Sequence, residues 1–218
     1  MLEFHQVTKN YGSVVALKNV SFKIEEGEFV FVTGPSGAGK TTLLKLLTRQ
    51  ISPSSGKVLL DGKEIQKLKR KDIPKLRQSI GTVFQDFRLL SEKTIRENVE
   101  VALAVSEVNK KEWKSRVDHV LNLVGLAERS EMFPSQLSGG ELQRASLARA
   151  LVVNPKIIFA DEPTGNLDWE TADGVMNLLL KINEEGKTVI VTTHHKKILK
   201  EFKKRIIHMK HGELVTKE

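Results

Sequence analysis

Residues 27–47 read GEFVFVTGPSGAGKTTLLKLL, and this stretch decides the fold. Its first part, GEFVFVTG (27–34), is a short apolar run rich in aromatic and β-branched residues, which is strand composition. Its last part continues as TTLLKLLTRQI (41–51), with leucines at helical spacing. Between them GPSGAGKTT (34–42) fits G-x-x-x-x-G-K-[ST] in the strand–loop–helix setting that pattern requires. Gly34, Gly37 and Gly39 let the backbone bend around phosphates without Cβ clashes. Pro35, Ser36 and Ala38 complete the loop. Its amides point inward and the helix N-terminus adds positive potential. Lys40 reaches the β- and γ-phosphates, the Thr41 hydroxyl coordinates Mg²⁺, and Thr42 can bond the α-phosphate.

Working outward, strands are expected at KVLLDG (57–62), IGTVFQ (80–85), KIIFAD (156–161) and KTVIVTTH (187–194). Helices are expected at 41–51, across TIRENVEVALAV and KKEWKSRVDHVLNLVGL, at ELQRASLARALVV, at ETADGVMNLLLKINEEG and at KKILKEFKK. His211-Gly212 separates two apolar runs in RIIHMKHGELVTK, so a hairpin is expected there. Strand–helix alternation implies a parallel sheet covered by helices. Residues 1–30 alternate with period two and are read as an added antiparallel edge. The helical stretch interrupts the alternation, which gives one domain over 1–218, with a core of 1–85 and 151–218 and a helical lobe over 86–150.

The 218 residues, 39% of them hydrophobic, suffice for one domain with a real core. Cysteine is absent, which excludes a disulfide framework and a thiolate metal site and fits a reducing compartment. The N-terminus lacks a signal-peptide layout. The apolar runs are far shorter than the roughly 18 residues that span a bilayer. The net charge is +8. Basic residues bunch in 63–77 and 196–210, with seven Lys/Arg in each. Apolar residues at helical spacing among them make solvated helix faces the first reading, with an anionic partner as the other.

KIIFADEP (156–163) is a buried-type strand tipped by two acids. Asp161 is placed to hold Mg²⁺, directly or through water, and Glu162 to polarise an attacking water. LSGGELQR (137–144) contains a capping box, Ser138 with Glu141, which starts a helix. Gly139 and Gly140 leave that helix end open to close approach, a second anion-binding end in one chain.

Together these residues resemble the ATP-binding-cassette (ABC) ATPases along nearly the whole chain. The loop at 34–42 looks like their Walker A, LSGGE matches their signature motif, and IIFADE looks like their Walker B. The resemblance implies a P-loop NTPase (RecA-like) α/β fold with an antiparallel β subdomain and an inserted helical subdomain. It implies ATP and Mg²⁺ as cofactors and ATP hydrolysis as the reaction. It places Gln85 of VFQD at Mg²⁺ and the membrane partner, Asp168 of GNLD in the D-loop, and Tyr11 where an aromatic stacks on adenine. It makes His194 of VTTHH the switch histidine at the γ-phosphate, with His195 departing from the family's aspartate. It further implies a head-to-tail homodimer. Each ATP lies between the Walker A loop of one chain and Ser138, Gly139 and Gly140 of the other.

DEPTGNLD (161–168) is typical of the members that drive lipoprotein release, macrolide export and cell division. Within that group, LRQSIGTVFQDFRLL (76–90) and TIRENVEVAL (94–103) look most like the cell-division, FtsE-type ATPases. That likeness implies an FtsX-like integral membrane protein as partner, control of peptidoglycan hydrolases, and a cytoplasmic place on the inner face of the membrane. The partner contact is expected around Gln85 to Arg96, where Phe87, Leu89 and Leu90 are read as a docking patch ahead of core residues, with anionic headgroups near the basic stretches. The lipoprotein-release and macrolide-export ATPases remain the first alternative. A nucleic-acid ABC protein is the second, although the span from Thr41 to Ser138 carries no sustained heptads of the kind repair members insert.

Overall fold

The computed structural model of the chain describes residues 1–215. The strands are β1 (Leu2–Tyr11), β2 (Val14–Ile24), β3 (Phe29–Thr33), β4 (Ser55–Leu60), β5 (Lys63–Glu64), β6 (Ile80–Phe84), β7 (Ile157–Asp161), β8 (Thr188–Thr192), β9 (Arg205–Lys210) and β10 (Glu213–Leu214). The α-helices are α1 (Lys40–Leu47), α2 (Ile73–Gln78), α3 (Ile95–Val105), α4 (Lys110–Leu123), α5 (Gly139–Leu151), α6 (Trp169–Glu184) and α7 (Lys196–Phe202).

One sheet has the order β10-β9-β3-β8-β7-β6, parallel from β9 to β6. Its central strands are buried along their whole length, FVFVT in β3 and TVIVT in β8. Such continuous apolar strands are what a sheet covered on both faces requires. Alternate residues feed two cores. Phe29, Phe31, Ile158, Ala160, Val189 and Val191 face one, where α3, α4, α5 and α6 pack. Val30, Val32, Ile157, Phe159 and Ile190 face the other, beside α1. Each Val, Ile or Phe among them contributes roughly 1.5–3 kcal/mol by leaving water. Between β6 and β7, Val99, Leu103, Val117, Leu121 and Leu147 bind α3, α4 and α5 to one another and to the first core.

The second sheet, β2-β1-β4-β5, is antiparallel. It is the antiparallel β subdomain that the family resemblance implies, and it takes β1 and β2 where the alternation alone suggests an added edge. Leu2, Phe4, Leu17, Val20 and Ile24 bury one face against α1 while their neighbours stay exposed. One-sided strands suit a sheet with a solvated face rather than a doubly covered one. A register shift between Phe4 and Val7, with Gln6 at φ 46°, brings Val7 onto the buried face. KVLLDG joins this sheet through β1, not the parallel one.

Other differences are local. α1 stops at Leu47, because the Thr48 hydroxyl donates to the Leu44 carbonyl and Arg49 turns left-handed. Residues 63–77 form a short strand, two 3-10 turns and the six-residue α2, with Pro74 in its first turn, rather than one helix face. The hairpin is present, with His211 and Gly212 both at positive φ. Thr216 and Lys217 of its expected second run lie outside the described residues.

Candidate functional site

β3 ends at the phosphate loop and α1 begins directly after it, so α1's first turn points into a cavity of about 870 Å³. The loop needs its glycines. A Cβ on Gly34 would meet the Met209 carbonyl oxygen at 2.2 Å, and one on Gly39 the Ala16 carbonyl oxygen at 2.7 Å, with Gly39 at φ 102°. Gly39 is the N-cap of α1 and offers no side-chain cap. Among the described residues, the amides of Gly37, Gly39, Lys40 and Thr41 donate to no backbone acceptor. A helix end left this way is a ready anion site. The buried Lys40 ammonium donates to the carbonyls of Gly34 (2.8 Å) and Pro35 (3.3 Å).

The strand tips supply the opposite wall. β7 and β8 pair in register with Asp161 beside Thr192. The Thr192 hydroxyl donates to Asp161 Oδ1 (2.6 Å), and the Thr41 hydroxyl to Asp161 Oδ2 (3.1 Å). Thr192 Oγ1 also accepts from the Glu162 amide at 2.9 Å. Glu162, at φ 50°, turns its carboxylate between two partners. Oε1 lies 3.4 Å from Lys40 Nζ, and Oε2 lies 2.9 Å from His194 Nδ1. The His195 ring stacks on His194 at 4.6 Å, and its amide donates to the Thr193 hydroxyl. Gln85 follows β6 into the same cavity, where its Nε2 donates to Asn166 Oδ1 at 2.9 Å.

Of the residues singled out from sequence, Pro35 through Thr42, Gln85, Asp161, Glu162 and His194 line this cavity. Tyr11 does not. It lies at the β1–β2 hairpin, paired with Val14 and exposed, and Val14, Val15 and Ala16 line the cavity on that side. Ser138, Gly139, Gly140, Glu141 and Asp168 also lie outside the cavity lining. Ser138 caps α5, and Glu141 closes the box by accepting from the Ser138 amide (2.9 Å) and hydroxyl (2.8 Å). These bonds, the backbone one first, hold the Glu141 carboxyl below its ordinary pKa. Asp168 caps α6 by accepting from the Thr171 amide and hydroxyl, which lowers its pKa likewise. The two caps touch: a Cβ on Gly140 would meet Thr171 Cγ2 at 2.2 Å, and one on Gly139 would meet Leu167 Cδ2 at 3.3 Å.

Two site residues escape the sequence reading. Thr192 bridges Asp161 and the Glu162 amide, and its place follows from strand register. Asn166 holds Gln85, and Gly165 makes room, since a Cβ there would meet Gln85 Nε2 at 2.7 Å. Among the described residues no three His, Cys, Asp or Glu side chains converge as a metal cluster. Protein oxygens from Thr41 and Asp161 do converge beside the loop, a donor set for a hard cation that shares phosphate oxygens.

Residues 17–165 match the ABC transporter family. The chain is 47% identical over 219 residues to the cell division ATP-binding protein FtsE of Bacillus subtilis, covering 100% of this chain and 96% of the relative. It is 43% identical to the methionine import ATP-binding protein MetN of Geobacillus kaustophilus, covering 99% of this chain and 64% of that one. A dimeric, post-hydrolysis structure of the ATP-binding cassette MJ0796 bound to ADP and Pi superposes with a TM-score of 0.88. It shares 40% identity, covering 100% of this chain and 98% of that one. The chain belongs to the ABC transporter family, has the P-loop ABC ATPase fold, and is an ATPase.

Proposed function

We propose that this ATPase is the motor subunit of an FtsE-type cell-division complex. It dimerises on ATP and drives an FtsX-like membrane protein that regulates peptidoglycan hydrolysis. The observation that carries the chemistry is Glu162, held between Lys40 at 3.4 Å and His194 at 2.9 Å beside the phosphate loop. The free amides of the loop bind the β- and γ-phosphates, and Lys40 exchanges its loop carbonyls for phosphate oxygens. Glu162 accepts a proton from water as its oxygen attacks the γ-phosphorus. The bond from that phosphorus to the bridging oxygen breaks, leaving ADP and phosphate. His194 orients the Glu162 carboxylate and lies toward the γ-phosphate. Mg²⁺, when bound, would be held by Thr41, Asp161 and Gln85 and would neutralise charge on the phosphate oxygens. Glu162→Gln keeps the shape and removes the base. It is expected to bind ATP, lose about 10²–10⁴-fold in turnover and accumulate as an ATP-bound dimer. Turnover near the wild-type rate in that variant would remove Glu162 from the role.

The dimer reading draws support from the placement of Ser138 to Glu141 outside the cavity lining, and from the dimeric assembly of MJ0796. A partner chain is then needed to bring Ser138, Gly139 and Gly140 to the γ-phosphate, with Asp168 beside them. Tyr11, exposed on its hairpin, is where the adenine would stack.

The membrane partner suits a second cavity of about 540 Å³ between α2, β6, α3 and α5. Its lining includes Val105, which is 76% exposed, and Leu90, in the loop before α3, is 46% exposed. Leu89 instead packs on the core, so the docking patch is narrower than 87–90. Residues 86–150 work as a lobe that supplies one wall of this groove, the other coming from α2 and β6 of the core. No helix among the described residues is long and apolar enough to cross a membrane, so attachment to the inner face runs through the partner and, at the basic stretches, through anionic headgroups. The likeness to MetN keeps a transport ATPase, of the methionine-import, lipoprotein-release or macrolide-export kind, as the second reading. The membrane protein that copurifies with the chain from native membranes decides between them.

A further inference from the structure

The loop that leaves the nucleotide cavity after Gln85 is strained and held. Phe87 and Arg88 sit at φ 56° and 51°. Cβ sterics penalise this left-handed conformation in every residue but glycine, and two in succession persist only where the surroundings impose them. Arg149, in the last turn of α5, imposes it: one Nη donates to the Phe87 carbonyl at 2.8 Å and the other to the Arg88 carbonyl. The guanidinium is half-buried, and burial first, then the Arg88 charge, lowers its pKa. A cation placed so awkwardly serves the two carbonyls it binds.

The far end of the loop is fixed as well. The fully buried Asn98 of α3 accepts from the Leu90 amide at 2.7 Å and donates to the carbonyls of Leu90, Lys93 and Thr94. Residues 87–94 are therefore tied to the helices at both ends, while the Phe87 amide also donates to the Phe84 carbonyl at 3.3 Å and the Arg88 guanidinium lies 3.7 Å over the Phe84 ring of β6. Gln85, in contrast, is tied to Asn166 on the loop after β7. Asp86 alone separates the two attachments.

We propose that Arg149 is a positioning residue for Gln85. By holding the Phe87–Arg88 turn left-handed, it fixes how the chain enters the cavity at Gln85. α5 carries Ser138 as its N-cap and Arg149 in its last turn, so a movement of this helix reaches Gln85 through two hydrogen bonds. The proposal rests on the reading of Gln85 as a nucleotide-side residue given above.

Steady-state ATP turnover against Mg²⁺ concentration tests it in the full chain, for R149Q, R149Q/R88G, R149Q/R88A and Q85A. R149Q is expected to lose about tenfold in turnover and to need more Mg²⁺ for half-saturation, because small displacements at a reacting site are costly. Its affinity for a non-hydrolysable ATP analogue stays near that of the wild type. Glycine adopts the left-handed conformation freely, so R149Q/R88G recovers most of the loss and R149Q/R88A does not. A merely structural role for Arg149 would make no distinction between glycine and alanine at residue 88. Wild-type turnover in R149Q, or equal failure of both second-site changes, overturns the proposal. If R149Q melts below the assay temperature, R149K with and without R88G makes the same comparison. Q85A separates the two claims. Unchanged Mg²⁺ dependence in Q85A defeats the reading of Gln85, while glycine-specific rescue still upholds the hold of Arg149 on the turn.

Discussion

Two helices of this chain begin at glycine-rich loops, and their N-termini are finished in opposite ways. α1 has a left-handed glycine as N-cap, no side-chain cap and, among the described residues, Lys40 and Thr41 amides without backbone acceptors, both residues lining a cavity. α5 carries its own anion: Glu141 accepts from the Ser138 amide and hydroxyl, and Ser138 in turn accepts from the Glu141 amide. The physics is the same at both ends, since orphan amides and the helix dipole call for negative charge. α1 leaves that demand to a ligand. α5 meets it internally and keeps only Gly139 and Gly140 bare. A helix end is therefore read as a ligand site by what its first turn lacks, not by its glycines alone.

The largest expected effect falls on the open end. Lys40→Ala removes the charge-assisted contacts to phosphate, each worth roughly 1.5–3 kcal/mol, so ATP affinity should fall about 100-fold by equilibrium titration. Retained tight binding would break the contrast, because the loop amides alone would then suffice. The next effect sharpens the strand-tip wall. His194→Ala frees Glu162 from its 2.9 Å partner and should lower turnover roughly tenfold or more. His195→Ala removes only a ring stacked at 4.6 Å and should cost less than about threefold. Equal losses would mean that the pair acts jointly. The smallest effect belongs to the capped end. The carboxyl of Glu141 has a depressed pKa in the folded chain, so its bonds add stability above the ordinary carboxylate pKa. That stability is lost as pH falls through the depressed value. Urea melts from pH 7 down through the acidic range should therefore show less acid dependence in Glu141→Gln than in the wild type, with ATP affinity at neutral pH unchanged. Acid dependence equal to the wild type would remove the carboxylate from the cap.

The open end was legible in the sequence because its parts are local: strand, loop and helix lie within residues 27–47. Asp161 and Glu162 were legible as the tip of an apolar strand beside a phosphate loop, and His194 through the family likeness. Thr192 was not, because its role depends on the register that sets it beside Asp161 across 31 residues. Asn166 was hidden for the same reason, as its bond to Gln85 crosses 81 residues. The separate antiparallel sheet is implied by the family likeness but not by the residues alone, because period-two alternation shows that a strand is half-buried, not which sheet takes it. Tyr11 was assigned by likeness alone, and the cavity wall near it is built by Val14, Val15 and Ala16. The capping box was read from Ser138 and Glu141, but its consequence, that it occupies the Ser138 donors, shows only in the hydrogen bonds.

The central claim is that the open end of one chain and the capped end of another make a single hydrolytic site. Mixing two inactive variants tests it most directly. Lys40→Ala lacks a working cradle, and Ser138→Trp lacks an approachable signature turn. In a head-to-tail pair of one of each, both defects fall in the same site and the other site is wholly native. Random pairing should then restore ATP turnover to roughly a quarter of the wild-type rate. If the mixture is as inactive as its components while mixed dimers form, each chain hydrolyses ATP with its own residues and the shared site is wrong.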